Sequence, residues 1–207
     1  MSDLFSPVME ICPGMLLLRS FVNTDELIEP LHNVLAHSPL RTMETSRGFK
    51  MSVRTSNCGK VGWVSDRAGY RYEYTDPLSG KPWHPMPDEF SNLASRAAVA
   101  ADFRNFESDV CLINNYQPGT QMGAHQDKDE SDFTQPIVSV SMGIDARFFV
   151  IGLSKRGKSI PVDLHDGDVL VFGGPARRFY HGVRKLKESN HPRFGAERWN
   201  LTFRKAL

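Results

Sequence analysis

Two stretches of the chain place apolar residues at helical spacing, three or four positions apart. The first runs from about Thr24 to His37, and its apolar stripe comprises Leu27, Ile28, Leu31, Val34 and Leu35. Pro30 lies inside this stretch and should kink the helix or delay its start, because proline lacks the N–H that a helix interior needs. The second stretch runs from about Asp88 to Ala101. The pattern therefore predicts two helices in the N-terminal half.

From Val110 onward the pattern changes to short apolar or alternating runs that are separated by turn residues. Eight of these runs are predicted strands: 110–116, about 121–127, 136–144, 147–153, about 160–164, 168–173, 178–183 and 198–205. No helical stretch separates them, whereas a parallel α/β sheet would require one between strands. We therefore expect a mainly β (α+β) fold, in which a double-stranded β-helix, or jelly roll, over residues 110–205 is supported by the two helices.

Residues 41–86 follow neither pattern. They are rich in Gly, Pro, Ser and aromatic residues, including Trp63 and Tyr70, which favours short hairpins and loops. A chain of 207 residues suits a single domain with an elaborated N-terminal region. We therefore treat residues 1–207 as one domain.

The overall charge excludes a strongly basic nucleic-acid binder, because the formal net charge is only +1. Nucleic-acid contacts would have to come from local basic clusters, and the chain has three: 155–158, 177–178 and 184–185. Such runs are usually solvated, but if some contact phosphates, binding should weaken with salt.

The cysteines indicate a reducing compartment. Cys12, Cys58 and Cys111 are widely separated and form no Cys-x-x-Cys spacing, which argues against a zinc ribbon or a disulfide framework. No basic segment followed by an apolar run opens the chain, and the longest apolar run, near Met15–Leu18, is far too short for a membrane span. We expect a cytoplasmic monomer that has no membrane partner.

The most informative spacing is His125-Gln126-Asp127. Side chains alternate along a strand, so His125 and Asp127 would point to one face, and His181 could join them from a distant strand. Two imidazoles and one carboxylate form the facial triad of non-haem Fe(II) oxygenases, which leaves coordination positions open. The His-x-Asp spacing also occurs often by chance, so the surrounding residues decide its meaning.

Two predicted strands carry polar residues on one face. On the 198–205 strand these are Arg198, Asn200, Thr202 and Arg204, which alternate with Trp199, Leu201 and Phe203. The polar face is either solvated or an anion site, since two arginines could converge on a short dicarboxylate such as 2-oxoglutarate. On the 110–116 strand, Leu112, Asn114 and Tyr116 share a face that could hold a keto acid or simply satisfy nearby backbone groups.

The chain contains five motifs in this order: Asn114-Asn115-Tyr116-Gln117-Pro118-Gly119, His125-Gln126-Asp127-Lys128-Asp129-Glu130, Pro136-Ile137-Val138-Ser139-Val140-Ser141, Phe179-Tyr180-His181-Gly182 and Arg198-Trp199-Asn200-Leu201-Thr202-Phe203-Arg204. With Asn57-Cys58-Gly59 through Trp63 and Tyr70, they resemble the bacterial AlkB family of Fe(II)- and 2-oxoglutarate-dependent DNA-repair dioxygenases. The resemblance extends over nearly the whole chain, and the order and spacing of the motifs together are highly specific.

The resemblance implies a role for each matching residue. Fe(II) would be bound by His125, Asp127 and His181. The co-substrate 2-oxoglutarate would be held by Leu112, Asn114, Tyr116, Arg198, Asn200 and Arg204. Residues 41–86 would form a β-hairpin nucleotide-recognition lid, and substrate contacts would come from Trp63, Tyr70, Asp129, Glu130 and Arg156. The chain departs from the family pattern at Phe172, where a tryptophan is expected, at Thr55, where a lid methionine is expected, and at Asn115, where a basic residue is expected.

The implied activity uses Fe(II), 2-oxoglutarate and O₂ to demethylate N1-methyladenine and N3-methylcytosine in alkylated single-stranded DNA, with double-stranded DNA or RNA as further substrates. An enzyme acting on a base must flip it out and hold it, and Trp63, Tyr70 and His125 could sandwich it. Both lesions are cationic, so Asp129 and Glu130 would favour them, unless both acids are simply solvated. Two alternatives stay open: a related oxygenase acting on RNA or protein, and a non-catalytic jelly-roll module with Zn²⁺.

Overall fold

The structure, a computed structural model, describes residues 8–207 and consists mainly of β-strands. The N-terminal strands are β1 (Val8–Cys12), β2 (Met15–Leu18), β3 (Arg41–Glu44), β4 (Lys50–Gly59), β5 (Gly62–Asp66) and β6 (Gly69–Glu73). The remaining strands are β7 (Val110–Tyr116), β8 (Met122–His125), β9 (Ile137–Gly143), β10 (Ala146–Gly152), β11 (Ile160–Leu164), β12 (Val169–Phe172), β13 (Tyr180–Val183) and β14 (Arg198–Arg204). The α-helices are α1 (Ile28–His37) and α2 (Asp88–Ala100), and short 3₁₀ helices span Thr24–Leu27 and Gly174–Arg178.

The strands form two main sheets and one separate hairpin. The major sheet has eight strands in the order β1-β2-β12-β9-β14-β7-β4-β3, and the minor sheet has four in the order β11-β10-β13-β8. The named strand pairs are antiparallel, and β5 pairs only with β6. This arrangement confirms the predicted jelly roll, because an antiparallel double sheet needs no helical crossovers.

Each face of the major sheet packs against a different partner. In β2, Met15 and Leu17 belong to the apolar cluster shared with the minor sheet, whereas Leu18 belongs to the cluster shared with α1 and α2. In β14, Leu201 and Phe203 also pack on the helical side and are fully buried. Burial of side chains of this size stabilises the fold by about 1.5–3 kcal/mol each. The alternation therefore leaves the polar face of β14 between the two sheets.

Both predicted helices are confirmed. Pro30 delays the first, as expected: a 3₁₀ turn occupies Thr24–Leu27, and α1 begins at Ile28. Pro30 then lies in the first turn of α1, where the missing N–H has no intrahelical acceptor to lose. Asn23 accepts a hydrogen bond from the Asp25 backbone N–H and so caps the 3₁₀ turn. No helix within residues 8–207 has the length and apolar character needed to cross a membrane.

The largest difference from expectation lies within residues 41–86, where short hairpins and loops were expected. β4 is a ten-residue strand that pairs with β7, from Arg54 opposite Asn115 to Gly59 opposite Val110. It therefore extends the major sheet, and of the strands within residues 41–86 only β5 and β6 lie outside that sheet. β1, at the other sheet edge, was also not expected. The pairing of β4 with β7 joins strands that are distant in sequence, and such pairing leaves no periodic signal in either segment.

Candidate metal and 2-oxoglutarate site

Three side chains that could hold a metal ion converge at one end of the minor sheet. His125 is the last residue of β8 and lies opposite His181 of β13, while Asp127 follows two residues after the strand ends. The nearest Asp127 carboxylate oxygens lie 3.7 Å from the Nε2 atom of each histidine. One ligand atom from each residue falls within 4.8 Å of the others. The spacing that suggested a facial triad thus brings its members together, although Asp127 lies just beyond the strand.

The backbone orients both imidazoles. The Nδ1 atom of His125 lies 2.9 Å from the Gly123 carbonyl oxygen, and Nδ1 of His181 lies 2.9 Å from that of Phe179. A carbonyl oxygen accepts only from a protonated nitrogen, so each ring carries its proton on Nδ1 and keeps the Nε2 lone pair for a metal.

The ionisation states also fit a cation. Burial lowers the pKa of His181 to about 4, so this ring is neutral at neutral pH. Burial alone would raise the pKa of Asp127, but the positive charge of Arg204 holds it well below its usual range. A neutral imidazole at His181 and a charged carboxylate at Asp127, together with the imidazole of His125, are the donor types that Fe(II) takes in this geometry.

A cavity of about 620 Å³ opens beside these ligands. The residues expected to hold 2-oxoglutarate all line it: Leu112, Asn114, Tyr116, Arg198, Asn200 and Arg204. They belong to β7 and β14, which pair directly, with Asn114 opposite Asn200 and Tyr116 opposite Arg198. The polar face of β14 is therefore enclosed rather than solvated, and its two arginines mark opposite ends of the strand.

Arg198 is the more enclosed arginine, with 1% of its surface exposed. Its Nη2 donates to the Ser141 hydroxyl, and its guanidinium carbon lies 4.9 Å from the Tyr116 ring centroid. Its Nε and Nη1 atoms find no hydrogen-bond partner within residues 8–207, and the same is true of Asn114 Oδ1. Buried cationic donors without acceptors are costly, so this end of the cavity suits a carboxylate. A dicarboxylate such as 2-oxoglutarate therefore fits the residues present.

Arg204 lies at the metal end. Its Nη2 donates to Asp127 Oδ2 at 3.1 Å. Burial alone would lower the pKa of Arg204, but attraction to Asp127 raises it, so the side chain stays charged. Asn200 contributes differently, because its amide nitrogen already donates to Ser139 and to the Val140 carbonyl. Asn200 thus links β14 to β9 in the cavity wall, and Arg198 and Arg204 place a positive charge at each end of that wall.

Glu130 has a role that sequence reasoning missed. Its carboxylate accepts hydrogen bonds from the Tyr72 hydroxyl at 2.6 Å and from Arg177 Nη2 at 3.0 Å, and it lies 3.3 Å from Arg204 Nε. Only 6% of Glu130 is exposed. Its carboxylate therefore links Tyr72 of the β5-β6 hairpin to Arg204. Arg177, which the charge pattern assigns to a surface cluster, is buried as its partner.

The aromatic pair of the hairpin borders the same cavity. The Trp63 and Tyr70 rings are stacked with their centroids 5.7 Å apart, and both line the opening. Trp63 donates from Nε1 to Asp129 Oδ2 at 2.9 Å, and its backbone exchanges two hydrogen bonds with the Asn57 amide. The hairpin is thereby anchored to β4 and to the loop that carries Asp127. Asp129 also lines the cavity.

Arg156 does not reach the cavity, whereas its neighbour Lys155 does. The Lys155 ammonium lies 5.2 Å from the Tyr180 ring centroid. The departures from the family pattern differ in position. Phe172 lines the cavity, 5.1 Å from the His181 ring, and Thr55 lines it too, whereas Asn115 accepts from Arg54 instead. Lys155 was missed because residue type and spacing do not distinguish adjacent basic residues in a loop.

Comparisons with known proteins agree with this geometry. The 2OG-Fe(II) oxygenase superfamily model matches residues 14–204. The chain is 45% identical to the alpha-ketoglutarate-dependent dioxygenase AlkB of Escherichia coli (strain K12), over 100% of this chain and 98% of that protein. It is 44% identical to the protein of that name from Salmonella typhimurium, with the same coverage. Among solved structures, OsALKBH1 superimposes with a TM-score of 0.84 at 29% identity, covering 96% of this chain and 100% of that chain.

Proposed function

Because the chain belongs to the 2OG-Fe(II) oxygenase superfamily and, within it, to the AlkB family, we propose that it removes methyl groups oxidatively from alkylated bases in DNA. It is an Fe(II)- and 2-oxoglutarate-dependent dioxygenase. The observation that carries the proposal is one cavity that contains the His125–Asp127–His181 triad, two arginines and an aromatic pair.

The proposed substrates are N1-methyladenine and N3-methylcytosine in single-stranded DNA. Both lesions are cationic, and stacking on Trp63 would add a cation–π attraction of about 0.5–2 kcal/mol. The Asp129 carboxylate supplies a negative charge beside that ring. An unmethylated base carries no charge and gains neither contribution. Electrostatics therefore favours the damaged base over the normal one.

The chain's residues position the reactants. Bound Fe(II), with 2-oxoglutarate and O₂, supplies the oxidation that hydroxylates the methyl carbon, so that formaldehyde leaves the base and succinate and CO₂ are formed. Arg198 and Arg204 would hold the two carboxylates of 2-oxoglutarate and would so orient it within the cavity. The stacked Trp63 and Tyr70 would cover the flipped base and exclude water. Holding the methyl carbon close to the metal converts a bimolecular encounter into an intramolecular one.

The test is succinate and formaldehyde release from a panel of oligonucleotides. Single-stranded DNA with one N1-methyladenine or N3-methylcytosine should release formaldehyde in equal amount to succinate, and unmethylated DNA should not. Matched double-stranded DNA, RNA and methylated peptides serve as comparisons. Turnover confined to RNA or peptide would contradict the DNA assignment and favour a related oxygenase.

The position of Lys155 predicts a difference between two adjacent substitutions. Lys155→Ala and Arg156→Ala each remove one positive charge, but only Lys155 lines the cavity. We expect Lys155→Ala to weaken binding of a methylated oligonucleotide and to reduce the slope of log K against log salt by about 1. Fluorescence anisotropy at several salt concentrations measures both quantities. A larger effect from Arg156→Ala would show that Arg156, and not Lys155, contacts the substrate.

A further inference from the structure

A second pair of histidines, His37 and His84, lines a separate groove and does not line the cavity. His37 is the last residue of α1, and His84 lies in the segment that leads from the β5-β6 hairpin to α2. Their ring centroids are 4.8 Å apart, with an angle of 48° between the ring planes. His84 is fixed by its backbone, since its carbonyl oxygen accepts from the Gly59 N–H at the end of β4. The pair thus joins three elements of the fold.

Both rings of this pair have a defined orientation. Nδ1 of His37 lies 2.9 Å from the Asn33 carbonyl oxygen, and Nδ1 of His84 lies 2.7 Å from the Pro85 carbonyl oxygen. Each ring therefore carries its proton on Nδ1 and presents the Nε2 lone pair. Neither ring lies within 4.0 Å of a carboxylate in the part of the chain that the structure describes.

The two histidines of the triad can be compared with this pair. The ring centroids of His125 and His181 are 4.5 Å apart with an interplanar angle of 57°, and each Nδ1 lies against a backbone carbonyl oxygen. The His37–His84 pair reproduces the separation, the tilt and the proton position. Two imidazoles on one tetrahedral Zn²⁺, each with a Zn–N distance of about 2.0–2.1 Å, place their centroids about 5 Å apart. The observed 4.8 Å fits that requirement.

The surroundings favour a cation. The two rings line a groove of about 650 Å³ whose carboxylates come from Asp25, Glu26, Glu29, Asp88 and Glu89. His37 also occupies the last turn of α1, where the helix dipole attracts positive charge. Among residues 8–207, no third His, Cys or carboxylate joins this pair in a group whose ligand atoms all lie within 4.8 Å of one another. The remaining coordination positions would therefore go to water, with the groove carboxylates acting at longer range.

We propose that His37 and His84 form a second metal site, which binds a divalent cation of borderline softness such as Zn²⁺ through two imidazole nitrogens. Imidazole favours Zn²⁺, Cu²⁺ and Ni²⁺ over Mg²⁺ and Ca²⁺, which prefer oxygen. A bound ion would tie the end of α1 to the segment between the hairpin and α2. This site is separate from the catalytic triad and needs neither 2-oxoglutarate nor substrate.

Calorimetric titration of the chelator-treated full-length protein with Zn²⁺ alone tests the proposal. The wild type should bind two equivalents, one at the triad and one at the His37–His84 pair. His37→Gln and His84→Gln should each lose one equivalent, with affinity at that site at least about tenfold weaker. His32→Gln is the matched control, because His32 is an exposed histidine of α1 that does not line the groove. It should keep both equivalents.

Two further measurements make the result decisive. Thermal unfolding without metal should give the same midpoint for all four proteins, which shows that the substitutions do not unfold α1. Formaldehyde release at saturating Fe(II) should be unchanged in His37→Gln. A single equivalent in the wild type, or two equivalents in both His37→Gln and His84→Gln, would overturn the second site and leave an ordinary histidine contact.

Discussion

Replacing Asp127 with asparagine is expected to abolish formaldehyde release and to weaken metal binding at least about 100-fold. The carboxylate is the only anionic ligand of the triad, and it approaches both imidazoles at 3.7 Å. The substitution keeps the side-chain volume, so it removes the charge without opening a cavity. Arg204 keeps Glu130 as an ion-pair partner in the variant, which limits the damage to the fold. The loss should therefore appear in metal affinity and turnover more than in thermal stability.

The matched control is Asp129→Asn, the same exchange two positions later. Asp129 contacts Trp63 rather than the histidines, so this variant should bind metal normally and change only the KM for the methylated oligonucleotide. Equilibrium dialysis with Mn²⁺ and formaldehyde release at saturating Fe(II) give the two quantities. Full turnover by Asp127→Asn would show that this carboxylate is not a metal ligand.

Replacing Arg198 with methionine is expected to separate cofactor binding from stability. Truncating one partner of a buried charge pair typically costs 2–5 kcal/mol, so the apparent affinity for 2-oxoglutarate should fall by at least about 30-fold. Without 2-oxoglutarate, however, Arg198 is a buried cation with two unpartnered nitrogens among the described residues. Burial lowers its pKa, which reflects the cost of keeping this charge away from water. An apolar side chain of similar length removes that cost.

Thermal unfolding measures both effects in one experiment. Without co-substrate, the melting temperature of Arg198→Met should equal or exceed that of the wild type. With Mn²⁺ and saturating 2-oxoglutarate, the wild type should gain stability by mass action and the variant should not. Arg147→Met, an exposed arginine on β10, is the control and should behave like the wild type. An undiminished 2-oxoglutarate shift in Arg198→Met would remove Arg198 from the cofactor site.

The predictable parts of the fold were those with local signals. Alternation along β14 correctly separated the residues that pack on the helices from those that face the cavity, and Pro30 correctly delayed α1. The pairing of β4 with β7 was not predictable, because about fifty residues separate the two strands along the chain. Strand register is a property of two segments together.

In the candidate site too, some residues were predictable from the sequence and others were not. Residue type and spacing identified His125, Asp127 and His181, and the structure brings them together. The role of Glu130 depended on the burial of Arg177 and on the hydroxyl of Tyr72, which come from two other elements. The charge pattern predicted a surface position for Arg177, because a run of basic residues does not show which of them are buried.

By itself, the sequence determined which face of each strand and helix is apolar, which side chains can bind a metal or a carboxylate, and which family the motifs resemble. Only the tertiary structure decided which polar atoms find partners. It satisfied Asn200 and Glu130 within the protein, left Arg198 with open donors and brought Lys155 rather than Arg156 to the cavity. The physical reason is the distance along the chain over which each effect acts. Periodicity follows from the geometry of a single backbone segment. Hydrogen bonding and desolvation depend on neighbours that only folding brings together.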